Sequence, residues 1–280
     1  MASPDPAAHL YPVAAELSLS RYLAQMWARR DFVVAMPFEE LRVSHQNTLL
    51  GNIWHLGNPL LSVGVYYLIF GVVLQVTRGV DNYIAWLTIG VFAFGLTSRT
   101  VLGGAAAISS NRGLMRSIRF PRALLPLSVM ISRLLTFGFE MVVVVAVVLV
   151  TGEGVSMRWL ALPLVVAVHS ALNLGGAFIA ARLNDTFRDV QQIIPFLFRL
   201  LTYMSGVIFP VERFLDLGNE TVGWIIANNP LAAIIDMYRW VFMGLPLEPG
   251  KVLLATGVAL ASLVAGFTFF RGAEWRYGRA

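Results

Sequence analysis

Four charged side chains lie inside long apolar stretches of this 280-residue sequence: Arg99, Arg133, Glu140 and Arg199. An ionisable group at membrane depth is costly and usually faces protein, water or a substrate. Arg133 and Glu140 are seven residues apart, which is two helical turns, so they are predicted to share one helix face. The pattern predicts either a buried ion network, in which Glu140 neutralises one arginine, or the lining of a conduit for a polar substrate. Because a single intramembrane acid makes a poor proton relay, proton-coupled transport is disfavoured.

The sequence lacks the usual motifs for nucleotide, metal or hydrolytic chemistry. A P-loop ends in Gly-Lys-Ser/Thr, but the only lysine, Lys251, precedes Val252 and follows no glycine-rich loop. Neither H-E-x-x-H nor G-x-S-x-G occurs, the four histidines are scattered, and there is no cysteine. His169 is predicted to be a hydrogen-bonded structural residue. We therefore expect no catalytic residue, metal or cofactor in this chain, and no nucleic-acid partner.

Six apolar stretches are each predicted to cross a bilayer, whose hydrocarbon core needs roughly 20 helical residues. They fall at 59–76, 83–109, 123–150, 159–181, 193–210 and 252–270. The composition agrees, since 57% of residues are hydrophobic and only 13% are charged, against about 25% in soluble proteins. The predicted fold class is an all-α integral membrane protein with six transmembrane helices.

The distribution of basic residues predicts the orientation, because cytoplasmic loops carry more arginine and lysine than outer loops. Of the 21 basic residues 20 are arginine, and 13 fall on the side that holds both termini, against five on the other side. The N-terminal residues show no cleavable signal pattern. Both termini are therefore predicted to be cytoplasmic, in a bacterial inner membrane.

Three segments outside the spans are predicted to have distinct roles. A cytoplasmic N-terminus, 1–56, contains an amphipathic stretch that is typical of a helix in the membrane interface. The link 111–122 is short and strongly basic. The outer segment 211–249 is predicted to hold one or two short interfacial or re-entrant helices. The span region is 57–271, and 272–280 is a cytoplasmic tail.

The link between the second and third spans carries a family resemblance. Residues 119–126 read Arg-Phe-Pro-Arg-Ala-Leu-Leu-Pro, which resembles the F-P-R-x-L-L-P signature of ABC-type polysaccharide exporter permeases. Residues 30–32, 48–54 and 58–60 are similar to that family's R-D-L and L-G-x-L-W…N-P-L entry into the first span. An acidic stretch at 36–40 departs from the family's usual basic link and affects the predicted path of the interface helix. The arginine-rich composition resembles the actinobacterial branch that exports lipid-linked galactan.

The resemblance implies a permease subunit that exports a lipid-linked polysaccharide. It would form a homodimer and work with a separate ABC ATPase subunit, which would bind the ATP and Mg²⁺. The link would serve as the coupling helix to that ATPase through Arg112, Arg116, Arg119, Phe120, Pro121 and Arg122. The lipid pyrophosphate would meet Arg29, Arg30 and Arg112. A plain positive anchor to anionic lipid is the alternative interpretation of these arginines.

Aromatic side chains along the spans are candidates for the wall of a sugar conduit, beside Arg99, Arg133, Glu140 and Arg199. They are Tyr66, Tyr67, Phe70 and Tyr203. The outer helices near Trp224, Tyr238 and Trp240 resemble the family's outer gate. Ordinary packing or interfacial anchoring explains such aromatics equally well.

Two other functions remain open from the sequence. The first is an ABC permease that exports drugs or small lipids, although the long acidic outer segment argues against it. The second is a membrane-embedded transferase, which would need paired acids. Asp185 and Asp189 lie beside Arg182 and Arg188 and are most simply a charge ladder at a helix end.

Overall fold

The computed structural model describes residues 18–43, 54–75, 80–210, 223–224, 226 and 228–277, and all the regular structure in these ranges is helical. The α-helices are α1 Leu19–Ala28, α2 Arg30–Val43, α3 Trp54–Tyr66, α4 Tyr83–Ser110, α5 Arg112–Ser117, α6 Leu124–Val150, α7 Leu162–Thr186, α8 Val190–Met204, α9 Pro230–Met243 and α10 Pro249–Arg271. A π-helix Tyr67–Val73 extends α3, and 3₁₀ turns occupy Met157–Ala161 and Glu274–Arg276. Arg78, Arg213, Arg279 and the entry-motif residues 48–53 lie outside the described residues, as does most of the segment 211–227.

Four helices are long and apolar enough to cross a bilayer. They are Tyr83–Ser110, Leu124–Val150, Met157–Thr186 and Pro249–Arg271. These correspond to the second, third, fourth and sixth predicted spans, each within a few residues of the predicted bounds. Helices satisfy their own backbone hydrogen bonds, which a chain inside lipid must do. The chain is therefore a multi-pass membrane protein.

The first and fifth predicted spans take shorter helical forms. In the first, Gly57–Val73 is an apolar helix whose second half is the seven-residue π-helix. In the fifth, α8 has 15 residues with Pro195 inside, and turns follow it at 205–209. The prediction of six complete crossings stays a prediction.

Helix α4 lies at the centre of the bundle and packs against α3, α6, α7, α8 and α9. Small residues let its neighbours approach closely. A Cβ on Gly104 would stand 2.6 Å from that of Ala177 in α7, and one on Gly175 would stand 2.3 Å from the backbone of Ser262 in α10. Small residues thus allow close helix contacts within one protomer.

The N-terminal helices lie against one end of the bundle. Helix α2 packs on α6, and the rings of Phe32 and Phe120 pack at a tilt with centroids 5.2 Å apart. In α1, Tyr22 is buried, whereas Leu19, Leu23 and Trp27 form an exposed stripe with four-residue spacing. This apolar stripe beside arginines has the pattern predicted for an interfacial helix.

Candidate functional site

The centre of the candidate site is an ion pair between α4 and α6. Nη2 of Arg99 donates to both carboxylate oxygens of Glu140, at 2.7 and 2.6 Å. The Glu140 side chain is fully buried, whereas that of Arg99 is 32% exposed. A buried carboxylate needs a charged or hydrogen-bonding partner, and Arg99 supplies both. Glu140 thus pairs with an arginine of another helix, while Arg133, on its own helix, lies beside Gly103 and is half-buried.

A glycine makes room for the Arg99 guanidinium. A Cβ on Gly95, one turn earlier in α4, would stand 2.9 Å from Nη1 and 3.1 Å from Nη2 of Arg99. Real Cβ atoms essentially never approach a heavy atom below 3.0 Å, so a larger residue here would displace the guanidinium. The glycine therefore leaves the space that the guanidinium occupies while it pairs with Glu140.

Arg99 opens onto a pocket of about 200 Å³ between α3, α4 and α8. Its lining residues are Asn58, Pro59, Ser62, Tyr66, Val91, Phe94, Gly95, Arg99, Thr202 and Val207. Amide, hydroxyl and guanidinium groups alternate with apolar faces, a mixture that suits a polyhydroxylated ligand. Drug-sized ligands use pockets of about 300–1,000 Å³. This volume suits a smaller group, on the scale of one sugar ring.

The other predicted conduit residues divide between this pocket and the outer surface of the bundle. Tyr66 lines the pocket, and Phe70 packs beside it and against Phe209. Tyr67 and Tyr203 are exposed by 37% and 42%. Arg199 is exposed on α8 and is not among the residues that line this pocket. The structure thus brings Tyr66 and Arg99 into one pocket and places Arg199 elsewhere.

The predicted coupling segment divides into an exposed part and an anchored part. Arg116 and Arg119 are exposed, and Arg112 is half-buried. Phe120 packs on α2, Pro121 is buried, and the guanidinium of Arg122 binds the backbone carbonyl of Glu274. Among the predicted entry arginines, Arg29 and Arg30 are exposed at the junction of α1 and α2, with Arg30 over the Trp27 ring.

The predicted gate residues lie in different surroundings. Trp224 is 65% exposed and Trp240 is half-buried. Tyr238 is completely buried, and its hydroxyl lies 3.1 Å from Nδ1 of His169 in α7. Tyr238 is therefore part of the core rather than of an outer surface.

His169 is the hydrogen-bonded structural residue that the sequence predicted. Its Nε2 lies 2.7 Å from the Thr97 hydroxyl, and Phe137 packs edge-on against both His169 and Tyr238. Since both ring nitrogens have partners, the imidazole links α4, α7 and α9. Among the described residues, no group of three or more His, Asp or Glu side chains is placed to hold a metal ion.

Comparison with protein families identifies the fold. The model of the ABC-2 type transporter family matches residues 35–243, about three quarters of the chain. The chain belongs to this family.

Individual relatives of this ABC-2 family member cover nearly the whole chain. The O-antigen export system permease protein RfbA of Myxococcus xanthus is 27% identical over 251 residues, which is 89% of this chain and 95% of that protein. The protein of the same name from Klebsiella pneumoniae is 28% identical over 250 residues, 88% and 93% of the two chains. The polysialic acid transport protein KpsM of Escherichia coli is 25% identical over 248 residues, covering 86% and 93%.

Sequence reasoning missed two anchoring residues of this ABC-2 permease. Arg239 is buried, lies 3.5 Å over the Trp86 ring, and donates to the carbonyl of Gly206 at 2.7 Å and to Asp236 at 3.0 Å. The sequence did contain a signal for Arg239, because an arginine inside the apolar run 232–242 needs a partner. Glu274 had no such signal, because it lies in a polar tail.

Proposed function

We propose that this chain is the permease subunit that forms the path for ATP-driven export of a lipid-linked polysaccharide across the cytoplasmic membrane. Its relatives named for O-antigen export and polysialic acid transport match it almost end to end, which supports a saccharide cargo. The pocket at Arg99 is the observation of the chain itself that carries the proposal. Its polar and aromatic lining suits sugar hydroxyl groups.

The proposed membrane domain is 57–271, with six crossings between a cytoplasmic N-terminus, 1–56, and a cytoplasmic tail, 272–280. The four long apolar helices support it, with α3 and its π-helix as the first crossing and α8 as the fifth. The arginine distribution supports cytoplasmic termini in a bacterial inner membrane. The outer segment 211–249, with Trp224, Tyr238 and Trp240, is the proposed gate region, where Tyr238 would hold α9 in place.

A separate ABC ATPase would drive export, because this sequence has no P-loop. ATP and Mg²⁺ would bind to that partner. Arg116 in the short helix α5 and Arg119 just after it are exposed and are proposed to contact the ATPase. Residues 120–122 are proposed to transmit the movement. Two permease chains and two ATPase subunits would assemble about a twofold axis, since one six-span chain is small for a glycan path.

The cargo would enter at the cytoplasmic face. Arg29, Arg30 and Arg112 are the proposed contacts of the lipid pyrophosphate, because a guanidinium binds phosphate through a bidentate fork. Beyond the pocket, the proposed path would pass Tyr67, Phe70 and Tyr203, with Arg133 and Arg199 flanking it.

Affinity purification in mild detergent, followed by mass spectrometry and an ATPase assay, tests this function. We expect a subunit with a P-loop to co-purify and to hydrolyse ATP faster when lipid-linked glycan is added. Reversing two exposed charges, Arg116→Glu with Arg119→Glu, should abolish co-purification, whereas reversal of exposed Arg21 in α1 should not. A chain that purifies alone would exclude the proposed function.

A further inference from the structure

Glu274 in the C-terminal tail is placed to hold the beginning of α6. Its carboxylate accepts a hydrogen bond from the backbone N–H of Arg122 at 2.7 Å, and the Arg122 guanidinium donates to the backbone carbonyl of Glu274. These contacts join residues 152 positions apart in the chain. They connect the tail after the last span to the end of the coupling segment.

Tyr22 of α1 completes the junction. Its hydroxyl accepts a hydrogen bond from the backbone N–H of Ala123 at 3.3 Å, and burial together with the nearby Glu274 carboxylate raises the pKa of this hydroxyl. Its ring packs edge-on against Phe267 and lies under the Arg271 guanidinium, 5.3 Å away. Glu274 and Tyr22 therefore bind the N–H groups of two consecutive residues immediately before α6.

The first N–H groups of α6 are bound by backbone carbonyls of the preceding turn, Leu124 to Pro121 at 3.1 Å and Leu125 to Arg122 at 3.0 Å. The N–H groups left over are those of Arg122 and Ala123, which Glu274 and Tyr22 bind. Ala123, at the N-cap position of this 27-residue helix, has no side chain that can accept a hydrogen bond, and no side-chain cap is formed there. N-terminal N–H groups of a helix need partners, and the helix dipole favours a carboxylate near them. Glu274 supplies such a carboxylate from the tail.

The tail is itself firmly packed. Tyr277 is buried, its hydroxyl donates to the Phe270 carbonyl at 2.8 Å, and its ring lies 4.8 Å from that of Phe270. A movement of the α6 end must therefore either carry the tail and α1 with it or break these hydrogen bonds.

We propose that Glu274 is the positioning residue that makes the interfacial helix, the coupling segment and the last span move as one unit. This proposal rests on the proposed function, in which the segment 111–122 receives the ATPase movement. Without Glu274, ATP hydrolysis would continue while its movement no longer reached α1 and α10.

A distance measurement tests the physical link without any cargo. Because the chain has no cysteine, spin labels can be placed uniquely after Ser117→Cys and Arg276→Cys, both at exposed positions. We expect one narrow distance distribution in the purified chain. Glu274→Ala should broaden it, while Glu274→Gln, which keeps an acceptor oxygen for the Arg122 N–H, should preserve it. Glu248→Ala, which removes an exposed carboxylate paired with Lys251, is the matched control. A narrow distribution in Glu274→Ala would overturn the proposal.

The coupling ratio then tests the consequence in the assembled complex with its ATPase. We expect Glu274→Ala to keep assembly and basal ATP hydrolysis but to lower glycan exported per ATP at least tenfold, with recovery in Glu274→Gln. If Glu274→Ala does not accumulate, Tyr22→Phe can be measured instead, since it removes one hydroxyl and keeps the ring. We expect it also to lower the glycan exported per ATP. A normal ratio in a working complex contradicts only this proposal, whereas a wild-type complex that exports no glycan contradicts the proposed function.

Discussion

At the level of single residues, Arg99 and Glu140 form an ion pair inside the bundle. Glu140→Gln would leave the arginine charged beside a neutral amide. Loss of one partner of a buried pair costs about 3–5 kcal/mol. Because Arg99 is partly exposed to the pocket, we expect the free energy of unfolding in detergent to fall by about 1–3 kcal/mol. The double variant Arg99→Met with Glu140→Met should regain most of this loss. Equal stability of Glu140→Gln and wild type would show that the pair does not neutralise the arginine.

A substitution at Gly95 tests whether the pocket at Arg99 is needed for transport. Gly95→Ala should push the Arg99 guanidinium away from its position, because the new Cβ would stand within about 3 Å of both terminal nitrogens. Alanine also favours helix, so the fold should persist. We expect export to fall at least tenfold with normal assembly, measured as glycan transport per assembled complex. Gly138→Ala in α6, where a Cβ meets nothing within 4 Å, is the control and should transport normally.

At the scale of elements, Arg239 anchors α9 to the start of α4. Truncation of a buried charged side chain with several hydrogen bonds removes its contacts to Trp86, Gly206 and Asp236 together. We expect Arg239→Ala to raise amide hydrogen exchange throughout α9, because local opening becomes easier. Lys251→Ala, which breaks an exposed pair with Glu248, should leave this exchange unchanged. Unaltered protection in Arg239→Ala would show that α9 is held by apolar packing alone.

Glu274 in the C-terminal tail makes the stability of the folded chain depend on pH. Burial raises the pKa of the Glu274 carboxyl above its ordinary value. The folded chain therefore holds this proton more tightly than the unfolded chain does. Stability from this group is complete below the ordinary carboxyl pKa, about 4.3, and decreases as pH rises through the raised pKa. Glu274→Gln should reduce this decrease in thermal melting across that pH window, and Glu248→Gln should not. If the melting temperatures of wild type and Glu274→Gln change in parallel with pH, the Glu274 carboxyl does not cause this decrease in stability.

A helix could be predicted from the sequence where its signal lies within one continuous stretch of residues. The second, third, fourth and sixth spans have long apolar runs with few charged residues, and the structure contains a long helix for each of them. The π-helix at Tyr67–Val73 and the short α8 depend on packing and on Pro195, and a hydropathy pattern does not register them. An apolar run also does not distinguish an interfacial helix from a core helix, so the sequence did not show that Tyr238 is buried.

At the scale of the whole molecule, the important contacts join distant parts of the chain. One sequence identifies Arg99 and Glu140 as costly charges, but not that they pair across α4 and α6. The sequence likewise does not show how the tail lies against the coupling segment, and this arrangement brings Glu274 into contact with Arg122. The motif at 119–126, by contrast, is local, and it indicated the family that the comparison over residues 35–243 established.

The whole assembly is best tested by transport in reconstituted vesicles. The chain and its co-purified ATPase would be placed in liposomes with radiolabelled lipid-linked glycan from the host's membranes, and enzymatic access to the glycan would report its translocation. We expect ATP-dependent translocation that Gly95→Ala reduces and Gly138→Ala does not. ATP hydrolysis by the assembled complex without any movement of the glycan would exclude the proposed function.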